Sequence, residues 1–376
     1  IADGETIYPG DLVADGRLHW DDPVVRYVPT YPYTEQTVRH LVTHRAGLPD
    51  YGSFDKDFAP GQVRGTVDLL QATARHQPRP VRPAGVQAEY DNLGFDTAVL
   101  VVERVTGLPI QAGWAERWFK PLGLQTMLAR PARFADWPGQ RTPGYRLKDG
   151  AWVLFDAEDG EGFIGGSNVH ASALDWARWG DAFARGQALA APRMDAGLQE
   201  PMLDSGLPGT LTRLSWYCDA SRQRCHYTGA YNAFFTQVYW DRTRREVVAY
   251  VSNSTLPPWT TAGLTRDLID ALAGRAATPE SAPEPVRIAS ADLSRWAGRY
   301  QPGMLDTVRL DVQQGRFFVQ VGQGQRVSVF QVTRQVFYAP MLDLWLAFSG
   351  TADAPTLHIR SVFHVDDARR LPDPSA

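Results

Sequence analysis

No run of apolar residues in this 376-residue chain approaches the roughly 20 that a helix needs to cross a bilayer, so a helical membrane span is excluded. Basic blocks are missing too. The formal net charge is −4, which leaves no electrostatic footing for nucleic acid or an anionic membrane surface. Internal repeats and extended low-complexity tracts are lacking, and no signal peptide is visible. Cysteine is scarce: Cys218 and Cys225 are the two present. They flank the polar stretch Asp219-Ala220-Ser221-Arg222-Gln223-Arg224, with strand-like Leu214–Tyr217 before it and His226–Thr228 after it. That pattern reads as a hairpin whose bases can meet disulfide geometry. Two buried thiols are the other reading, and pairing requires an oxidising compartment.

What is present is an ordinary globular composition, 44% hydrophobic and 21% charged, in a chain long enough for more than one domain. The boundary is expected at Gly274–Pro285, where three prolines among small and charged residues describe an extended linker. Residues 1–274 then form one domain, 275–287 the linker and 288–376 a β-rich module. In the first region, Thr34–Val42 reads as a helix from a Thr cap. Gly94–Thr106 reads as a second, with Phe95, Ala98, Val99, Val102 and Val105 on one face and Gly107 as its stop. Leu174–Phe183 reads as a third. Ala233–Tyr239 and Glu246–Val251 make a hairpin around Asp241–Arg245, and Leu264–Leu272 a closing helix. Trp114, Trp118, Phe119, Trp176, Trp179 and Phe183 lie at helical spacing, which predicts core packing. In the module, Val308–Val312 and Phe317–Val321 bracket a Gln-Gln-Gly turn, followed by Val327–Val329 and Val336–Tyr338. Short alternating strands at this spacing predict a small antiparallel barrel or sandwich.

The chemistry centres on Tyr90-Asp91-Asn92-Leu93-Gly94-Phe95, where a Tyr and an Asn one residue apart precede a helix and can share a cleft. Together with Asp15–Leu18, Trp20–Val24, Arg39–Leu48 and Phe119–Leu124, in that order, it resembles the serine β-lactamase and penicillin-binding-protein family of class C type. The resemblance implies an α+β fold: an antiparallel sheet from both chain ends, flanked by helices, with an all-helical insertion. The module after the linker resembles the lipocalin-like domains appended to some members. The resemblance also implies a serine hydrolase that works through an acyl-enzyme, with Tyr90 in the proton traffic and Asn92 holding the substrate carbonyl or amide. Without it, Tyr90 reads as a loop residue and Asn92 or Asp91 as a helix cap.

The family's third element, a Lys-Thr-Gly or His-x-Gly edge strand, is matched by Tyr227-Thr228-Gly229-Ala230. Gly229 lets substrate approach the backbone, and the Ala230 N–H is the candidate oxyanion donor. Tyr227 stands where the family has a cation, which weakens the case for a substrate carboxylate. Strand alternation sends His226 to the opposite face, so it reads as structural. Gly165-Gly166-Ser167-Asn168 lacks the final Gly of a nucleophile elbow and matches the family's cleft-bordering Gly-Gly-Ser loop. His40 and His44 read as packing residues rather than a metal pair, and no cofactor or metal is expected.

The family's Ser-x-x-Lys is not in its place. Ser53-Phe54-Asp55-Lys56 falls in a later loop. Ile7–Asp11, interrupted by Pro and Gly, does not read as the helix that follows the motif. The expectation is that Ile1–Tyr8 is a strand-turn-strand and that a segment near residues 9–12 is skipped, the nucleophile lying in the skipped segment. The expected function is a periplasmic or secreted hydrolase of an ester, amide or D-amino-acid peptide, acting on a small-molecule or short-peptide substrate. The other reading is an inactive binding protein on the same scaffold.

Overall fold

A computed structural model describes residues 3–49, 57–86, 91–148, 151–185, 203–207, 210–213, 216–219, 223–255, 264–275, 293–302, 307–322, 326–331, 333–339, 344–360 and 365–372. The chain divides into two compact units. One comprises Ile1–Leu203, Thr212–Tyr217 and Gln223–Thr255; the other comprises Asp204–Leu211, Cys218–Arg222 and Leu256–Ala376.

The first unit holds helices α1 (Asp3–Ala14), α2 (Val38–Val42), α3 (Thr66–His76), α4 (Leu93–Thr106), α5 (Ile110–Trp114) and α6 (Ala173–Ala184). A π-helical turn over Ala115–Phe119 continues α5. Helix α4 is its axis. Leu93, Phe95, Asp96, Thr97, Ala98, Val99, Val101 and Val102 are all buried, so the helix is covered on every side near its start, as a central core helix is. Gly107, at φ +73, ends it in the left-handed conformation that glycine adopts without steric cost. Gly94 lets α2 come close: a Cβ there would meet the Leu41 carbonyl oxygen at 2.9 Å.

Strands β1 (Leu128–Ala129), β2 (Tyr145–Lys148), β3 (Ala151–Leu154) and β4 (Val169–His170) are short. The main sheet uses β5 (Leu203–Leu207), β6 (Thr210–Arg213), β7 (Trp216–Asp219), β8 (Arg224–Tyr231), β9 (Phe234–Asp241) and β10 (Glu246–Ser252). Its order is β10-β9-β8-β7-β6-β5, so the hairpin reading around residues 219–224 and that of β9 with β10 both hold. A further strand, β11 (Ser254–Thr255), runs parallel to β2. Helix α6, capped by the Ser172 hydroxyl accepting from the Asp175 N–H, lies on β9 and β10. Gly180 allows this approach, since its Cβ would stand 2.9 Å from Val247 Cγ1 and 3.0 Å from Val238 Cγ1. Trp118, Trp179 and Phe183 interlock edge to face in the same core, each large aromatic contributing about 1.5–3 kcal/mol by burial.

Three expectations are corrected. Residues 3–14 are a helix, not a strand-turn-strand, and it passes through Pro9 and Gly10 without interruption. Tertiary packing overrides local propensity here. Tyr8 and Leu12 are buried, Tyr8 packs edge-on to Trp118 at 5.2 Å, and Asp11 pairs with Arg117. Second, α2 begins at Val38 rather than Thr34, because the residues before it are held extended: the Val24 N–H donates to the Gln36 carbonyl at 3.0 Å, and Thr37 bridges Pro23. Third, among the described residues all strands of the main sheet come from Leu203–Ser252; none comes from the amino-terminal end.

The second unit contains helix α7 (Leu264–Leu272) and a closed antiparallel barrel. Its strands are β12 (Gly298–Pro302), β13 (Val308–Gln313), β14 (Arg316–Val321), β15 (Val327–Gln331), β16 (Val336–Ala339), β17 (Leu344–Gly350), β18 (Pro355–Arg360) and β19 (Val365–Arg370). Consecutive strands pair, and β19 returns to β12 to close the ring. Gln314 and Gly315, both at positive φ, form the tight β13–β14 turn. Trp296, Phe317, Phe337, Leu346 and Phe348 share the buried core. The expected linker falls largely within 276–292, outside the described residues.

Candidate active site

The start of α4 gathers most of the predicted site. Asp91, not Asn92, caps the helix: its Oδ1 accepts the Gly94 N–H at 2.5 Å, while Asn92 makes no side-chain cap bond. His44, at φ +55, accepts the Asp91 N–H at 3.3 Å through Nδ1. Its ring lies 4.7 Å from Phe95, and burial pushes its pKa down to about 4. His40 accepts the Thr37 N–H at 3.2 Å. Both histidines therefore serve the backbone, as packing residues do. Among the described residues no His, Cys, Asp or Glu group has the makings of a metal site.

The Gly165–Asn168 loop is pressed against this same turn. A Cβ on Gly166 would stand 2.4 Å from Asn92 Cβ and 2.6 Å from its Oδ1; one on Gly165, at φ +152, would meet Asp96 Cα and N at 2.4 Å. Only glycine permits that approach. The Gly166 N–H donates to Asp96 Oδ1 at 2.8 Å, and the Ser167 hydroxyl is buried beside it. Asp96 is fully buried. Its Oδ2 has no hydrogen-bond partner among the described residues. Burial lifts its carboxyl to about 7; the Asp91 and Glu161 carboxylates push the same way, against the Gly166 N–H.

The end of β8 is tied to this loop through a buried charge network. Tyr231 donates its hydroxyl to Glu161, and burial with that carboxylate raises the phenol far above its usual range. Glu161 accepts from Arg130 Nη1 at 2.6 Å. Arg130 also reaches Asn168 Oδ1 at 3.3 Å and the Glu158 carbonyl. Arg64 bridges Glu158 at 2.7 Å and Glu161 at 3.4 Å. Arg130 and Glu161 are 0% and 3% exposed along their side chains, so neither charge is solvated and each depends on the other.

On β8, Tyr227 faces Val238, Gly229 faces Thr236 and Ala230 faces Phe235 in register with β9. Tyr227 is buried, so it offers at most an edge to a substrate. Of Thr228 and Ala230 only the strand register is described. His226 is also buried, and desolvation lowers its pKa to about 4, in keeping with a structural role. Tyr90 and Ser53–Lys56 lie outside the described residues.

Sequence reasoning missed Asp96, Glu161, Arg130 and Tyr231. Asp96 left a signal, a carboxylate beside the apolar face of a helix. Glu161 left none, since its partners are 31 and 70 residues away.

The Beta-lactamase family profile matches residues 8–273. D-aminopeptidase of Cereibacter sphaeroides is 28% identical over 159 residues, 42% of this chain and 30% of that protein. Esterase EstB of Burkholderia gladioli is 32% identical over 161 residues, 38% of this chain and 41% of that one. The chain thus spans about a third of the length of these curated relatives. Among solved structures, the octameric penicillin-binding protein homologue from Pyrococcus abyssi has a TM-score of 0.60 at 18% identity, covering 97% of this chain and 86% of that one. At that identity the likeness is one of fold.

Proposed function

Since the chain belongs to the beta-lactamase family, with its profile covering residues 8–273, we propose that it is a serine hydrolase forming an acyl-enzyme on a small ester, amide or D-amino-acid peptide. The observation that carries this reading is the packing of Gly165 and Gly166 onto the turn that bears Asn92. Contact of the Gly165–Asn168 loop with the Asn92 turn supports the shared cleft that the family's loop and Tyr-x-Asn segment imply. The relatives named D-aminopeptidase and esterase support the substrate classes.

In the proposed mechanism the nucleophile adds to the acyl carbon, Tyr90 relays its proton to the alcohol or amine that leaves as the acyl bond breaks, Asn92 holds the acyl oxygen or amide, and the Ala230 N–H receives the developing oxyanion. Gly229 lets the acyl group approach the β8 backbone. Tyr227 supplies a neutral phenol in place of a cation, so neutral esters and amides are the preferred substrates over penicillins. The continuous helix α1 removes the reason for skipping residues near 9–12. The family offset, roughly 24 residues before Pro23, is where the Ser-x-x-Lys is sought.

Reading the natural gene product upstream of Ile1, then assaying the protein against a neutral aryl ester, a D-amino-acid amide and a penicillin, tests the proposal. Ser-x-x-Lys at that offset with turnover of the first two substrates is the expected result. An upstream sequence without it, and no turnover, replaces the enzyme with a binding protein on this scaffold. A periplasmic or secreted location is part of the same proposal, with Cys218 and Cys225 bridged. Thiol titration of unfolded, unreduced protein from its native compartment is expected to find no free thiol.

A further inference from the structure

The outer face of the barrel carries a second arrangement, independent of the cleft. In β17, β18 and β19 alternate residues point inward: Leu346 and Phe348, Leu357 and Ile359, and Ala368 are buried. The residues between them therefore face out. Ser349, His358 and Asp367 are three of these, one on each strand. Ser349 Oγ lies 2.7 Å from His358 Nε2, and His358 Nδ1 lies 2.6 Å from Asp367 Oδ1. His358 and Asp367 are directly paired in register; Ser349, paired with Thr356, is the diagonal neighbour of His358. Adjacent rows of a pleated sheet thus hold hydroxyl, imidazole and carboxylate in line.

We propose that Ser349, His358 and Asp367 form a serine-histidine-aspartate relay and that Ser349 is a second, acyl-accepting nucleophile. With Asp367 accepting from Nδ1–H, the neutral ring presents the Nε2 lone pair to the serine hydroxyl, the tautomer that general-base activation needs. Ser349 Oγ adds to an acyl carbon while its proton passes to Nε2. The tetrahedral adduct then expels the leaving oxygen, and His358 returns the proton to it or to solvent. Water attacking the acyl-serine, with His358 again as base, restores the hydroxyl. Arg369 stands in the row of Ser349 and Thr356 and is exposed; it supplies positive charge beside the developing oxyanion. Asp367 orients the ring and is a positioning residue. With the His358 and Asp367 side chains 43% and 69% exposed, little beyond the reacting atoms holds a substrate. That selects small activated acyl donors, aryl esters above all, whose leaving groups depart without assistance.

The test is labelling of the full chain with a fluorophosphonate probe, with the modified peptide mapped by mass spectrometry. The probe is expected on Ser349, at a pH-dependent rate. In His358→Ala that rate is expected to fall about 100-fold, the lower end of general-base catalysis. In Asp367→Asn the pH profile is expected to shift as well as the rate to fall. These exposed substitutions leave the barrel core intact, which circular dichroism checks. Equal labelling of Ser349 in the wild type and His358→Ala overturns the relay. So does label found only outside the barrel, a result that leaves the cleft nucleophile standing. Label at both places supports both.

Discussion

The two units treat charge in opposite ways. The first keeps it inside: Arg130, Glu161 and Asp96 are buried, as is the ring of His226, whose pKa desolvation lowers to about 4. The barrel's described core from Leu293 to Ala368 is apolar, and its ion pairs lie on the outer face. Arg326 with Asp311, stacked on Phe318 at 3.7 Å, is one example; the His358–Asp367 hydrogen bond lies on the same face. Buried charge costs free energy unless every member is paired, so a network of that kind is retained where it fixes an arrangement. Here it fixes the loop that meets Asn92. The barrel stabilises itself by apolar burial and leaves its polar face available.

The sharpest way to break this contrast is to remove one buried partner. Glu161→Ala leaves Arg130 uncompensated and is expected to cost about 3–5 kcal/mol, read as a lower denaturation midpoint of the first unit. A loss under about 1 kcal/mol, the scale of surface pairs, would show that water solvates the network.

Next comes the assignment of turnover. Tyr90→Phe in the complete protein is expected to lower D-amino-acid amide hydrolysis by roughly 100-fold or more with the melting temperature unchanged. Undiminished kcat would make Tyr90 a loop residue.

The third concerns pH. The folded Asp96 carboxyl, at about 7, lies above its unfolded value. Its contribution to stability is present below about pH 4 and lost as pH rises through about 7. His44, His170 and His226, held near 4 mainly by burial, act in the opposite sense: their contribution is present above about 6.5 and lost as pH falls toward 4. Asp96→Asn is therefore expected to steepen the rise in stability between pH 4 and 6.5 and to remove the decline near 7. Urea midpoints at unit steps of pH measure both, and parallel curves for the two proteins would rule out an ionising Asp96.

A smaller effect is expected from Tyr227→Lys. A charge-assisted contact in place of a neutral one is worth roughly 1 kcal/mol or more, so kcat/KM should shift toward carboxylate-bearing substrates. A ratio that does not move would place Tyr227 away from the substrate. Smallest of all, Asp367→Ala is expected to change barrel stability by no more than about 0.5 kcal/mol; a larger loss would make that pair part of the barrel's framework.

Much of this architecture is written locally in the chain. The spacing of Phe95, Ala98, Val99 and Val102 with the stop at Gly107 specifies α4, because one buried stripe and one left-handed cap suffice. Alternation specifies the strands of the barrel, because a pleat exposes every second residue; runs of aromatic and β-branched residues specify the β9–β10 hairpin. The Gly-Gly-Ser loop beside the start of α4 was likewise legible. What tertiary structure decided is everything that depends on distant partners. Pro9 sits inside a helix because Tyr8 and Leu12 find a core and Asp11 finds Arg117, 106 residues on. Asp96 is held near neutrality by burial between the Asp91 turn and the distant Glu161–Gly166 segment. Ser349, His358 and Asp367 meet only because strand register places three alternating positions in one line. Local patterns fix which face of an element is buried; only the packed chain fixes which charges end up together, since their energy depends on separation in space rather than along the sequence.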